Sequence, residues 1–153
     1  MRQRIVMSVM MVVMLAAMAV IVIMPPQVAE SAPLMARTVL TPTQIAKTGT
    51  AVTLRDATVD GDKFINNGQT WFALANATGE TITATFVTTI TYEGLAVADL
   101  VVAVADATTK YIGPFSTVAF NQGGTGTDAD YVYVDYTYVT TLTGATVGAF
   151  RFE

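Results

Sequence analysis

From Thr38 onward, apolar and polar residues alternate with a period of two, which predicts β-strands. The clearest example is the segment ETITATFVTTIT, residues 80–91. Its even positions include Ile82, Phe86 and Ile90, whereas most of its odd positions are threonine. One apolar face and one hydroxylated face are typical of an antiparallel strand that is buried on one side only.

Similar segments follow one another along the chain, and turn-forming residues separate them. The segment KFINNGQTWF reads as a hairpin, because Asn67-Gly68 can adopt the positive φ angles of a tight turn. Gly113-Pro114 should end the strand before it, since proline cannot donate to a sheet. The sequence therefore predicts an all-β fold, an antiparallel β-sandwich of about eight strands that is jelly-roll or immunoglobulin-like. The remaining predicted strands are AVTLRDATV, TWFALAN, DLVVAVAD, KYIGPF, YVYVDYTYV and VGAFRFE.

A different pattern precedes this domain. Residues 5–24 are an uncharged apolar run that follows two arginines, and a helix of that length would span ~30 Å, the thickness of a bilayer core. Pro25-Pro26 would end this apolar helix. All eight methionines lie at or before Met35, whereas threonine begins at Thr38. We therefore predict an apolar leader over residues 1–34 and a β-sandwich domain over 35–153. The leader is either a signal-anchor or an upstream extension that the working protein lacks.

Composition narrows the possible functions. The chain has no histidine and no cysteine, which removes the commonest general base and all thiolate chemistry. A net charge of −4 argues against nucleic-acid binding, because few cations are available to neutralise phosphates. Charged residues make up only 13% of the chain, against roughly 25% in ordinary soluble domains. We expect a non-enzymatic protein without a cofactor, whose sparsely charged surface suits packing against other subunits.

Two acidic turns are weak calcium candidates. The first contains Asp60 and Asp62, and the second contains Asp128 and Asp130 at the end of GGTGTDAD. The second matches the start of a glycine-rich calcium repeat, but such repeats bind calcium as stacked copies and this chain has one. Ordinary turn chemistry explains both segments better, so we expect no bound metal.

Two further features concern the surface. Tyr131, Tyr133 and Asp135 share one face of the strand YVYVDYTYV, which makes them candidates for contact with a partner. Tyrosine is also common in sheets, so sheet packing is an equally good explanation for the pair.

Asn76-Ala77-Thr78 fits the glycosylation sequence but falls in a predicted tight turn.

Three segments of the chain carry a resemblance to known proteins: DKFINNGQTWFALAN, EGLAVADLVVAVADATTKYIGPF and YVYVDYTYVTTLTGATVGAF. The matching positions within them are Asp62, Phe64, Asn67, Gly68, residues 71–76, residues 94–99 and residues 112–115. These segments resemble small β-rich virion structural proteins of tailed bacteriophages. The resemblance runs from Met35 to the C-terminus, and members of this group begin much like Met-Ala-Arg-Thr. It implies a capsid decoration or head-associated protein and supplies no catalytic residue.

Two functional hypotheses follow. The first is a virion structural subunit that stabilises a capsid by binding to the major capsid protein or to copies of itself. The second is a membrane-anchored or secreted cell-surface module for adhesion or fibre formation, which requires that residues 5–24 be retained. Because phage heads assemble in the cytoplasm, the resemblance favours Met35 as the functional beginning and the virion as the location.

Overall fold

The computed structural model describes residues 36–123 and 126–152. Within these ranges the chain is all-β, as predicted, with twelve strands and one short helix, α1 (Thr117–Phe120). The predicted leader lies outside the described residues. No helix in the described ranges is both long enough and apolar enough to cross a membrane.

The first sheet, sheet A, has five strands in the order β1-β4-β11-β6-β9. Neighbouring strands run antiparallel except β1 and β4, which are parallel. Their bounds are β1 Thr38–Leu40, β4 Asp62–Ile65, β6 Ile82–Phe86, β9 Leu100–Val104 and β11 Tyr131–Thr137.

The second sheet, sheet B, has the order β10-β5-β12-β2, and β3 also pairs with β12. Here β2 and β12 are parallel, whereas the other pairs are antiparallel. A separate two-stranded hairpin is formed by β7 (Thr91–Tyr92) and β8 (Leu95–Ala96). The bounds in sheet B are β2 Thr43–Ile45, β3 Arg55–Asp56, β5 Thr70–Asn76, β10 Thr108–Ile112 and β12 Ala145–Phe152.

Both sheets contribute to one core, whose centre is a quartet of phenylalanines. Phe64 and Phe86 come from sheet A, Phe72 comes from sheet B, and Phe115 follows β10. Successive rings around the quartet lie 5.6, 5.3, 4.8 and 5.4 Å apart between centroids, and all four side chains are buried. These spacings lie within the range in which aromatic pairs attract each other.

The alternation in residues 80–91 is confirmed for the first half of the segment. Ile82, Ala84 and Phe86 are buried in β6, and the threonines between them are not. The predicted strand is nevertheless too long, because β6 ends at Phe86. Beyond it the Thr88 N–H donates to Asp99 Oδ1 at 2.8 Å, and the chain departs into the β7–β8 hairpin.

The predicted hairpin around Asn67-Gly68 is wrong in its pairing. Gly68 does adopt a positive φ of 90°. However, β4 belongs to sheet A and β5 to sheet B, so the turn carries the chain from one sheet to the other.

The expectation of about eight strands, all antiparallel, also needs correction. The structure has additional strands of only two or three residues, which are too short to show an alternation of apolar and polar residues. Two of these short strands, β1 and β2, form the parallel pairs, with β4 and β12 respectively.

Candidate interaction surfaces

The outer face of sheet A brings the three predicted contact residues together. Tyr131, Tyr133 and Asp135 alternate along β11 with Val132 and Val134, which are buried in the core. The tyrosines and Asp135 are partly exposed. They therefore lie on the side of the sheet opposite the core, as the period of two predicts.

An arginine from the start of the described chain is attached to this face. Arg37 donates two hydrogen bonds of 2.8 Å from one guanidinium nitrogen, one to each oxygen of Asp135, and a third of 3.0 Å from Nε. The guanidinium carbon also lies 4.4 Å from the centre of the Tyr133 ring. A guanidinium held by both a carboxylate and an aromatic ring is restricted to one orientation.

A lysine and an aspartate extend the same network. Lys63 Nζ lies 2.7 and 2.8 Å from the two oxygens of Asp128 and 5.2 Å from the centre of the Tyr131 ring. The Tyr133 hydroxyl donates to Asp128 Oδ2 at 2.5 Å. Asp135, Arg37, Tyr133, Asp128, Lys63 and Tyr131 thus form a continuous chain of contacts, which we call the sheet A network.

The network changes the acidity of two of its members. The hydrogen bond from Lys63, followed by the one from Tyr133, lowers the pKa of Asp128. Burial, reinforced by the Asp128 carboxylate, raises the pKa of Tyr133. Both shifts favour an ionised aspartate beside a neutral tyrosine at neutral pH.

Acid is therefore expected to weaken the sheet A network. Because the pKa of Asp128 is lower in the folded chain, its carboxylate stabilises the fold above a pH of about 4. That contribution is lost as the pH falls through the lowered folded value. Urea denaturation at several pH values should find Asp128→Asn less stable than wild type at pH 7, by less than about 1 kcal/mol for this partly exposed pair. The difference should shrink as the pH falls below about 4, and a difference that grows in acid would contradict this interpretation.

A glycine opposite the network leaves room for it. Gly61 has a φ of 79°, and an added Cβ would lie 2.6 Å from Asp135 Oδ1 and 2.7 Å from the Val134 carbonyl oxygen. Gly79 has a similar φ of 85°, but nothing lies within 4 Å of its added Cβ. Comparing a substitution at Gly61 with one at Gly79 therefore separates the cost of the left-handed backbone from the cost of steric overlap.

Alanine substitutions at these two glycines make a matched pair. Gly79→Ala should lower the free energy of unfolding by about 1 kcal/mol, the cost of a left-handed alanine. Gly61→Ala should cost roughly 2–3 kcal/mol, because the Val134 backbone carbonyl and the Asp135 side chain must both also move. Urea denaturation of both variants measures the difference. Equal losses of unfolding free energy would contradict this prediction, because they would show that the atoms around Gly61 move aside without cost.

The four calcium candidates do not form one site. Asp62 faces the core and is fully buried, where Arg55 donates to it at 2.6 Å and the Tyr136 hydroxyl at 2.8 Å. Asp128 is held by Lys63, as described above. The described part of the chain contains no cluster of three acidic side chains arranged to hold a metal ion, and Asp60 and Asp130 remain in their turns.

The glycosylation sequence is inaccessible in this fold. Asn76 is buried, and its Nδ2 donates to the carbonyl oxygens of Glu80, at 2.7 Å, and Val104, at 2.9 Å. Its Oδ1 accepts from Thr78 in the next turn. The side chain therefore fixes the crossing from β5 to β6.

A second surface, on the outer face of sheet B, was not predicted. Its centre is aromatic: Phe150 lies 5.8 Å from Tyr111 and 5.9 Å from Phe152, between ring centroids, and Trp71 lies beside them. Tyr111 is 66% exposed and Phe152 50%. The sequence feature that could have indicated this surface is the presence of apolar residues on both faces of TWFALAN and VGAFRF. We call this the sheet B cleft, and its remaining apolar lining residues are Ile45, Val52, Leu54 and Ala73.

Comparison of this chain with family models, with curated proteins and with solved structures found no match in any of the three.

Proposed function

We propose that this chain is a non-enzymatic virion structural protein that binds to a phage capsid as a decoration or head-associated subunit. The segments that resemble tailed-phage proteins, residues 62–76, 93–115 and 131–150, include strands of both sheets. They consist of turns and core aromatic residues, which specify a scaffold. The proposal therefore concerns a binding role and assigns no reaction.

The strand order supports the jelly-roll form of a β-sandwich over the immunoglobulin-like form. The chain changes sheet between β4 and β5, between β5 and β6, and at each step from β9 to β12, whereas β6 and β9 are neighbours in sheet A. Four strands in the order β4-β11-β6-β9 facing β3-β12-β5-β10 follow the jelly-roll pattern, with β1 and β2 added at the edges. Jelly rolls occur in viral capsid proteins and also in lectins, so the fold supports the proposal by analogy.

The observation that carries the proposal is the fixed aromatic and charged face of sheet A. Arginine and tyrosine are enriched in protein interfaces, and here ion pairs hold them in place before any partner binds. Exposed apolar side chains flank the network on the same face: Val39 is 48% exposed, Ile65 42% and Val101 60%. Their strand partners Lys63, Tyr131 and Thr85 place them on this face.

Binding of this face would stabilise the shell by mass action. An interface that forms only on the assembled capsid adds buried area to the intact state and so raises the barrier to rupture. The charges on this face are already paired within the chain, Arg37 with Asp135 and Lys63 with Asp128, so a partner would meet no unpaired ion of the network. No chemical step is needed for this role.

Co-sedimentation tests the proposal with two matched substitutions. Capsids prepared without this chain should bind the wild-type chain and Val139→Asp, because Val139 is 88% exposed outside sheet A. Val101→Asp should lose binding, since it adds a charge beside the network without removing any member of it. Normal binding by Val101→Asp would exclude the sheet A face as the contact. Failure of the wild-type chain to bind would exclude the proposed function and favour a cell-surface module.

A further inference from the structure

The β7–β8 hairpin has a well-defined register. Thr91 pairs with Ala96 and Tyr92 with Leu95, so only Glu93 and Gly94 form the turn. Both turn residues have positive φ, 51° and 82°. A two-residue turn of this kind matches the natural twist of a hairpin and fixes which side chains share a face. We call residues 90–97 the arm.

One face of the arm is apolar and exposed to solvent. Tyr92 and Leu95 are directly opposite each other, and Val97 N–H donates to the Ile90 carbonyl oxygen at 3.1 Å, which continues the same register. Residues two apart on a strand share a face, so these four side chains lie on one side. Tyr92 is 73% exposed, Leu95 75% and Val97 39%.

The base of the arm is tied to the body of the domain. The Thr88 hydroxyl donates to the Val97 carbonyl oxygen at 2.7 Å. Thr89 N–H donates to the Ala119 carbonyl oxygen at 3.1 Å, and the Thr89 hydroxyl to that of Asn121 at 2.9 Å. An isolated two-stranded hairpin is marginal in water, so these bonds hold the arm in place. Its apolar face is thus presented in a fixed direction.

The sheet B cleft is the apolar recess on the same chain. Two adjoining spaces of about 310 and about 380 Å³ flank Phe150. Leu54 forms one wall of the recess, and it can lie there because residue 148 is glycine. A Cβ added at residue 148 would lie only 2.7 Å from Leu54 Cδ2. Leu54 packs over the sheet at that point. The recess is large enough for one or two apolar side chains from another molecule.

We propose that the arm of one copy docks in the sheet B cleft of a second copy, with Tyr92 and Leu95 as the inserted side chains. The arm does not fill the cleft of its own chain, because both of these side chains are largely exposed. The inserted residues and the residues that line the cleft are all uncharged. No charged side chain therefore lies among the residues that insert into the cleft or line it.

The presence of both surfaces on one chain favours a second copy as the occupant, because every copy carries an exposed apolar arm and an apolar recess. An aromatic side chain carries roughly 150–250 Å² of surface, so each arm-in-cleft contact buries only a few hundred Å² per partner. That is less than the value of about 800 Å² per partner in a typical stable interface. A chain that gives its arm to one neighbour and its cleft to another is therefore held by two small contacts. Such head-to-tail contacts close into rings or continue as chains.

Cysteine cross-linking tests this proposal cleanly, because the chain has no cysteine of its own. Leu95→Cys marks the arm, Tyr111→Cys marks the cleft, and Val139→Cys is the exposed control. Full-length chains are mixed in pairs, oxidised mildly and separated on a non-reducing gel. The Leu95→Cys and Tyr111→Cys mixture should give on the order of tenfold more disulfide-linked dimer than either chain alone, because docking raises the local concentration of the two thiols.

Each other outcome overturns the proposal. Dominant Leu95→Cys homodimers would indicate arm-to-arm pairing, and dominant Tyr111→Cys homodimers would indicate cleft-to-cleft pairing. Equal yields in all mixtures, including those with Val139→Cys, would indicate random collision. The experiment needs no capsid, so its failure leaves the proposed virion role intact.

Discussion

Phe86→Ala is expected to lower the free energy of unfolding by about 3–5 kcal/mol, the usual cost of deleting a buried phenylalanine. Phe86 is fully buried, and its ring contacts Phe72 of the opposite sheet at 5.3 Å and Phe115 at 4.8 Å between centroids. Removing it opens a cavity where the two sheets meet. Urea denaturation followed by tryptophan fluorescence measures the loss, since Trp71 is the single tryptophan.

Two variants control for this prediction. Phe86→Leu keeps most of the volume and should cost less than about 1.5 kcal/mol. Phe152→Ala deletes the same atoms from a half-exposed position and should cost much less than Phe86→Ala, because less buried surface is lost. Equal losses at positions 86 and 152 would contradict the assignment of the phenylalanine quartet as the centre of the core.

Asp62→Ala is expected to cost about 3 kcal/mol, the lower end of the range for breaking a buried ion pair from one side, because the Arg55 side chain is 33% exposed and water can reach it. Asp62 on β4 is fully buried and binds Arg55 of β3, Thr58 and Tyr136. Arg55 and Asp62 belong to different sheets, so this ion pair joins sheet B to sheet A. Burial, reinforced by the Asp62 carboxylate, raises the pKa of Tyr136 well above its ordinary value, which keeps its hydroxyl a donor. Without Asp62, the polar groups of Arg55 and Tyr136 lose their partner.

The chain provides its own matched comparison for Asp62→Ala. Asp135 also binds an arginine, with a contact of 2.8 Å to Arg37, but its side chain is 46% exposed. Asp135→Ala should therefore cost less than about 1 kcal/mol. Thermal unfolding of both variants at neutral pH compares the two ion pairs directly. If Asp135→Ala proved the more damaging variant, burial would not be what makes the Asp62 pair strong.

The fold class could be predicted because β6 and β11 are each buried on one side, so that their sequences alternate. The pairing of strands could not. The Asn67-Gly68 turn specifies a local φ of 90° at Gly68, but not whether β5 returns to the same sheet or enters the other one. The order of strands within each sheet could not be predicted for the same reason, because each change of sheet depends on contacts between distant segments.

The candidate surfaces were partly predictable for the same reason. Tyr131, Tyr133 and Asp135 share a face by their spacing, but Arg37 lies 98 residues before Asp135, and no local pattern joins them. Asp62 is a calcium candidate in the sequence because it belongs to the acidic turn Asp60-Gly61-Asp62, and no local pattern shows that Arg55 pairs with it and allows its burial. In β5 and β12 both faces carry apolar residues, so the period of two could not show which face becomes the sheet B cleft.

The intact mass of this chain in purified phage particles tests the central claim most directly. The account predicts a chain present in the particles and lighter than 16.2 kDa by residues 1–34. Particles that lack the chain, or a full-length chain recovered from host membranes, would contradict it.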